Sequence, residues 1–496
     1  MKQYDLAVVG SGAGLMVLEE ALSQGLRCAL IEESKLGGTC LTKGCIPSKM
    51  LVYPADFIRE AQHSRRFGVE VGTPSIDWNT ISTRMWEQID FHQTIEENLK
   101  QTANLTLYKG RGSFTAPDRM VIRYPDGRPE ETICAEKFVI AAGARSFVPS
   151  IPGLEETGYL TSEGFFGPDF PQAPWESLVI VGSGAISAEF AHIFSAFGTK
   201  VTIIARSGRI LSKEEEEISR FVARQFEKNG IQVLTDTLPV KAHQEGKTKY
   251  LTANNRITGE QTTIPCQEIL IASGVQSNAD TLSLEKAGVA TDDQGWIPTN
   301  LYLETSQKNI WALGDINGKY QFRHKANHEA QILMENLFSG GEKKEVNYHS
   351  VPWTIFTHPQ VSRVGMTEAD LREKGIPYKV AKNYYSEVVG GRAMGYREED
   401  DDNGFVKMLV GQNKNILGVH IVGPQSSVLL QPFVYLMNAG YRCRKKLEKT
   451  TCAKEIEGLR ILCPHLGSYA PINDSMIIHP SLNELTAWVF EKLGKS

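Results

Sequence analysis

The chain opens on a short apolar run, Leu6-Ala7-Val8-Val9, that stops at a glycine turn, Gly10-Ser11-Gly12-Ala13-Gly14. A helical pattern then extends to about Gln24, and a second strand-like run follows at Arg27–Glu32. This succession predicts the start of a parallel α/β sheet. Trp78–Ala103 reads as a long helix, with Ile81, Met85, Ile89 and Phe91 as its apolar positions. Short strand-like runs lead to Phe138-Val139-Ile140-Ala141-Ala142-Gly143, after which Pro149, Pro152 and Gly153 mark a boundary. A second strand–glycine–helix–strand unit begins at Leu178-Val179-Ile180-Val181-Gly182, roughly 170 residues after the first. From about Val346 strands and helices continue without a glycine fingerprint, which predicts a further domain.

Two charged runs read as surface. Glu214–Glu217 follows Ser212, a predicted N-cap, and so reads as the exposed first turn of a helix. Glu398–Asp402 reads as a solvated turn before the strand Phe405–Val410. With 496 residues the chain is too long for one core, and a length prior gives about three domains. A net charge of −5 gives no electrostatic reason to expect nucleic acid or an anionic membrane as partner. No apolar run approaches the roughly 18–20 residues that span a bilayer. The N-terminus passes straight into the first strand without a signal-peptide pattern, so the expected location is the cytoplasm.

Each glycine turn carries candidate chemistry. In the first, Gly10, Gly12 and Gly14 let the backbone approach a pyrophosphate at a helix N-terminus. Glu32, twenty residues beyond Gly12, can accept a ribose hydroxyl, while Leu15 replaces the third glycine of the usual pattern. In the second, Gly182 and Gly184 play the same part, with Ser187 in the third position. Its closing strand, Lys200–Ala205, ends in Arg206 rather than an acid, with Arg209 nearby, which suits the 2′-phosphate of NADPH better than the free hydroxyl of NADH.

Eight cysteines are too few for a disulfide scaffold, and Cys28, Cys134 and Cys266 read as inert core thiols. The decisive segment is Gly37-Gly38-Thr39-Cys40-Leu41-Thr42-Lys43-Gly44-Cys45-Ile46-Pro47-Ser48-Lys49. Two cysteines five positions apart at a helix start can close a disulfide and reopen it as two thiols, and the helix N-terminus stabilises the thiolate.

The chain resembles the dimeric FAD-dependent disulfide reductases. The motifs run in order: the cysteine segment, Ala141-Ala142-Gly143, the second fingerprint with Glu189, Trp311-Ala312-Leu313-Gly314-Asp315, Arg323-His324-Lys325-Ala326, Phe356-Thr357-x-Pro359 and His479-Pro480-x-x-x-Glu484. The resemblance implies an α/β fold with two Rossmann-like dinucleotide-binding domains and a C-terminal α+β dimerisation domain. The FAD domain would take residues 1–152 and 273–345, the NAD(P) domain 153–272, and the interface domain 346–496. It implies FAD and NADPH or NADH as cofactors, held by Gly10, Gly12, Gly14, Glu32, Gly38, Thr39, Lys49, Ala142, Gly143, Gly314, Asp315, Lys325 and Ala326 on the flavin side, and by Gly182, Gly184, Arg206 and Gly274 on the nicotinamide side. Cys45 would lie against the flavin and Cys40 would face substrate. Lys49 would sit beside the flavin with Glu189 as its carboxylate partner. His479 of the partner subunit would exchange protons with Cys40, oriented by Glu484.

Several features bear on the substrate. Glu484 also fits a capping box that starts at Ser481. The family's Gly-Arg-x-Pro-Asn segment stands here as Gly274-Val275-Gln276-Ser277-Asn278, without arginine or proline. The stretch Gly440–His479 is longer than its family counterpart and holds Cys443, Cys452 and Cys463, whose spacings lack the short pair of a zinc site, so no metal is expected. Cys452–Leu462 reads as a small amphipathic helix. The first expectation is a dihydrolipoamide dehydrogenase-like homodimer acting on a small disulfide or dithiol, with a lipoyl-bearing carrier domain as an added partner. The alternatives are an NADPH-dependent reductase of a low-molecular-weight disulfide, such as a mycothione or glutathione reductase, and a mercuric reductase-like enzyme.

Overall fold

The computed structural model describes residues 2–412, 414–438, 467–469, 472 and 482–494. The chain forms two compact units. The first comprises Met1–Ala55, Ser75–Gly208 and Gly230–Asn347; the second comprises Asp56–Pro74, Arg209–Asn229 and Tyr348–Ser496. Where the sequence suggests four consecutive segments, the units thus gather two short stretches, 56–74 and 209–229, with the C-terminal part.

In the first unit the strand Lys2–Val9 lies inside its sheet because successive residues, Leu6, Ala7, Val8 and Val9, are all buried. That unbroken apolar run is what a parallel strand covered on both faces requires. It pairs in parallel with Cys28–Ile31 on one side and Glu131–Ile140 on the other. Leu105–Tyr108 extends the sheet beyond Cys28–Ile31. Arg119–Arg123 and Arg111–Ala116 add antiparallel strands beyond Glu131–Ile140. The late strand Ile310–Ala312 returns to pair in parallel with Glu131–Ile140, completing seven strands. A five-stranded sheet, wholly parallel, follows the order Gln232–Leu234, Lys200–Ile204, Ser177–Val181, Glu268–Ile271, Leu160–Thr161.

Helix α1 (Gly14–Ser23) buries Val17, Leu18 and Ala21. The cysteine segment forms α2 (Gly38–Thr42) and α3 (Cys45–His63). Helix α4 (Trp78–Gln101) starts where Asp77 accepts the Thr80 N–H at 3.0 Å, and it buries Ile81, Met85 and Ile89 as the periodicity predicts. Phe91, expected on that apolar face, is instead 56% exposed, because two residues beyond Ile89 the helix has turned by about 200° to its other side. Cys28 and Cys266 are buried thiols, each pushed up to about 12 by burial, whereas Cys134 is only partly covered and does not belong to the core.

The second unit is built on an antiparallel sheet in the order Trp353–Ile355, Val361–Gly365, Ile416–Val422, Phe405–Val410, Lys379–Tyr384. Helix Ser426–Asn438 buries Leu430 and Phe433 in a core that includes Met408, Val419, Ile421 and Leu485. Here the acidic run departs from expectation. The helix begins at Glu216, its cap position is Glu215, and no side chain caps it, so Ser212 is not the N-cap. Glu214 and Glu215 are buried because groups of the C-terminal sheet reach them. Lys407 Nζ lies 2.9 Å from Glu215 and 2.8 Å from Glu217 and also bonds Glu368, while the Trp353 indole donates to Glu214 at 2.8 Å. Charges removed from water persist where opposite charge and hydrogen bonds replace it.

Candidate active site

The two glycine turns share one construction. A Cβ at Gly10 would meet the Ala141 carbonyl oxygen at 2.3 Å, and one at Gly182 would meet the Ala272 carbonyl oxygen at 2.2 Å. Both residues have positive φ, 98° and 128°, so glycine is required on two counts. Gly12 and Gly184, by contrast, face open space, with nothing within 4 Å of an added Cβ. Neither α1 nor the helix Ala185–Ala196 has a side-chain cap, which leaves first-turn N–H groups for an anion. Gly14 packs the helix on the strand, since a Cβ would lie 2.8 Å from Val8. These cradles fit the pyrophosphates of FAD and of a nicotinamide dinucleotide.

Glu32 closes the first turn. Its carboxylate accepts the Ser11 N–H and hydroxyl at 2.9 and 2.7 Å, and the Ser34 N–H at 2.9 Å. The Ser11 oxygen in turn accepts the Gly37 N–H at 3.0 Å, tying the turn to the cysteine segment. A Cβ at Gly38 would lie 2.6 Å from the Gly12 Cα, so the segment's backbone rests directly on the fingerprint.

Cys45 is the first residue of α3, where backbone dipoles favour negative charge, and Pro47 sits in the first turn, where its missing N–H costs nothing. Cys40 is half-buried and Cys45 exposed. A hydrogen bond from Cys40 draws the Cys45 thiol down to about 7, with Lys49 adding to the effect against burial and Glu189. The same bond and burial drive the Cys40 thiol far above its ordinary range, although Arg323 and Lys49 pull it back. The pair therefore shares one proton unequally, with the charge on Cys45. Lys49, one turn along α3, meets Glu189 of the helix Ala185–Ala196 at 2.7 Å. The structure thus brings together Cys40, Cys45, Lys49 and Glu189.

Asp315 lies in the short helix Gly314–Asn317, its carboxyl pushed up to about 6 by burial with Lys325 opposing. Lys325 is buried, and its ammonium bonds the Gly314 carbonyl at 2.9 Å, Asn317 Oδ1 at 2.7 Å and Glu329 at 3.1 Å. Glu329 accepts the Gly314 N–H and the Asn317 amide, each at 2.7 Å. This network fixes the turn that presents Asp315, so the Lys325 ammonium positions rather than reaches outward. Glu329 and Asn317 escaped the sequence reading; the available signal was the four-residue spacing of Lys325 and Glu329 on one helix. Ala326 is buried in the same helix, Arg323–Phe338.

Gly274, with φ 119°, accepts the Phe147 N–H at 2.9 Å, beside the paired strands Val275–Ser277 and Ala144–Ser146. Arg145, also missed from sequence, bonds the Ser277 carbonyl and Asp280 there, and Asn278 reaches the Ala142 carbonyl at 2.8 Å beside Gly143. Thr39 lies exposed in α2 and Arg206 lies exposed after the strand Lys200–Ile204. His479, Cys443, Cys452, Cys463 and the Cys452–Leu462 helix lie outside the described residues. Glu484 is buried in the helix Asn483–Ala487, whose cap position is Leu482 without a side-chain cap, and Ser481, where the expected capping box would start, lies outside the described residues. Among the described residues no helix is long and apolar enough to cross a membrane.

Residues 4–330 match the family model of the pyridine nucleotide-disulphide oxidoreductases, and residues 351–454 match the dimerisation domain of the same family. The chain is 33% identical over 449 residues to a mycothione reductase of Mycobacterium tuberculosis, covering 89% of this chain and 94% of that one. It is 32% identical over 433 residues to a dihydrolipoyl dehydrogenase of Chlamydia muridarum, covering 86% and 89%. A solved Cu(II) complex of the HOCl-induced flavoprotein disulfide reductase RclA from Escherichia coli superposes with a TM-score of 0.81 at 26% identity, covering 100% of both chains. With two cofactor cradles, a paired dithiol and these likenesses, the chain belongs to the pyridine nucleotide-disulphide oxidoreductases, FAD-dependent enzymes that use NAD(P)H and carry a dimerisation domain.

Proposed function

We propose that the protein is an NADPH-dependent reductase of a small disulfide, with Cys40 and Cys45 as its redox pair. The observation that carries this reading is the placement of Cys45 as the first residue of α3, with Cys40 in α2 within hydrogen-bond reach and Lys49, paired to Glu189, one turn along. FAD, when bound, supplies the two-electron exchange between nicotinamide and disulfide. Two electrons entering the Cys40–Cys45 bond break it, leaving Cys45 as thiolate beside Lys49 and Cys40 as thiol once it takes a proton. Cys40 then attacks the substrate disulfide, breaking its S–S bond to form a mixed disulfide and releasing the first substrate thiol, which takes up the proton that Cys40 loses. Because the Cys40 thiol holds that proton tightly, the transfer needs a base. The resemblance gives that task to His479 of the partner subunit. Cys45 closes the cycle by displacing the substrate thiol from Cys40 and restoring the disulfide.

The preference for NADPH rests on the second fingerprint. Its closing strand leads to exposed Arg206, whose carbonyl accepts a bond from exposed Arg256 at 3.2 Å, and a pair of exposed guanidinium groups at this strand end supports recognition of a 2′-phosphate. A dihydrolipoamide dehydrogenase would run the same path from a dithiol toward NAD. Turnover of a panel of small disulfides and of dihydrolipoamide, each with both nicotinamides, tests the choice. Faster reduction of a disulfide with NADPH supports it, and turnover confined to dihydrolipoamide and NAD overturns it.

A further inference from the structure

Lys43 stands two residues before Cys45 and Lys49 four after it. Lys49 meets Glu189, and Lys43 has a carboxylate of its own. Its Nζ lies 2.7 Å from Glu163 Oε2, with the two side chains 29% and 28% exposed. The other oxygen of Glu163 accepts the Ser146 N–H at 3.0 Å, which fixes the carboxylate to the strand Ala144–Ser146. The backbone at Lys43 is held as well, since its N–H donates to Thr39 O at 3.0 Å and closes α2. At Gly44 a Cβ would lie 2.9 Å from that same Thr39 oxygen. The turn between the cysteines is therefore tight in its backbone and tied by one side chain to an element outside it.

The mount for Glu163 is firm. It sits in the helix Ser162–Phe165, where Thr161 accepts the Gly164 N–H. Phe165, fully buried, meets Phe190 edge-on with ring centroids 5.1 Å apart, and both rings also pack on Phe194. Phe190 is the neighbour of Glu189. The two carboxylates that hold the lysines around Cys45 thus stand on one aromatic cluster.

We infer that Lys43 and Glu163 are positioning residues for the disulfide, their ion pair latching the intercysteine turn so that the two sulfurs stay within bonding reach. This rests on Cys40 and Cys45 being the redox pair, as proposed above. A disulfide forms in proportion to the time its sulfurs spend at bonding geometry. Releasing the turn lowers that time and favours the dithiol.

The test equilibrates the FAD-loaded protein in defined mixtures of reduced and oxidised dithiothreitol. In this exchange the Cys40–Cys45 bond breaks as dithiothreitol gives up two electrons and two protons and closes into its cyclic disulfide. Alkylation and mass spectrometry of the peptides bearing the two cysteines then read the dithiol fraction without any turnover. Lys43→Met and Glu163→Gln should each shift the equilibrium toward dithiol by about fivefold, the scale of a well-anchored ion pair. The exchange variant Lys43→Glu/Glu163→Lys should return to within about twofold of the parent. Lys43→Arg should match the parent and Glu163→Asp should shift with the neutral variants, which keeps the test decisive if those fail to fold. Single variants at the parent equilibrium overturn the inference. So do shifts of opposite sign, which would assign the effect to charge alone, and an exchange variant no better than the singles. A parent that forms no Cys40–Cys45 bond in fully oxidised dithiothreitol defeats the proposed function and this inference with it.

Discussion

At Gly10 and Gly182 an added Cβ would strike a carbonyl oxygen at 2.3 and 2.2 Å, yet the turns around these two glycines are finished differently. The first is closed over: Gly38 rests on Gly12, and Glu32 is bonded to Ser11 and Ser34. The second ends in exposed Arg206. The backbone device for a pyrophosphate is common to both, while the side chains around it set what happens next. A closed turn built into the redox segment suits a flavin that stays, and an open turn with a cation at its rim suits a nicotinamide that comes and goes.

The largest effects separate the turns outright. Gly10→Val should yield protein without FAD, read from its visible spectrum. Gly182→Val should keep the flavin spectrum but lose its bleaching by NADPH, and loss of FAD from both variants would erase the distinction. Next in size, Arg206→Ala should weaken NADPH binding relative to NADH by about tenfold or more, the scale of a charge-assisted contact to phosphate. Equal losses for the two nicotinamides would remove the role given to that rim.

Charge at the closed end provides a third test. With the Cys45 thiol drawn from 9.0 to about 7, the thiolate grows as pH rises through that value. In the dithiothreitol-reduced protein, alkylation of Cys45 should therefore gain rate with a midpoint near 7. Lys49→Met removes a favourable charge and should move the midpoint upward; an unmoved midpoint would leave Lys49 without the electrostatic part assigned to it. The smallest effect belongs to Glu32→Gln, which leaves one oxygen for the four donors of Ser11 and Ser34. It should weaken FAD retention by about 1 kcal/mol, measured by flavin release on dilution.

Both glycine turns were legible because strand, turn and helix alternate within short windows of sequence. The cysteine segment was legible for the same reason, being one continuous stretch. Lys49 with Glu189 came only through resemblance, since no local pattern joins residues 140 positions apart. Glu163 was not legible at all: its partners Lys43 and Ser146 are set by folding, and a lone acid at a short helix carries no mark. Glu214 and Glu215 show the opposite failure. A run of glutamates reads as solvated until a lysine such as Lys407, nearly 200 residues on, arrives to cover it. Local periodicity reports elements and turns, while charge pairing is decided between elements.

The most direct measurement follows the Cys40–Cys45 bond through one round of reduction. The oxidised protein is alkylated anaerobically before and after one equivalent of NADPH, and its peptides are weighed. The account predicts linked, unalkylated Cys40 and Cys45 peptides before reduction and two alkylated cysteines after it. Cysteines that are free beforehand, or still linked while the flavin is bleached, would contradict it.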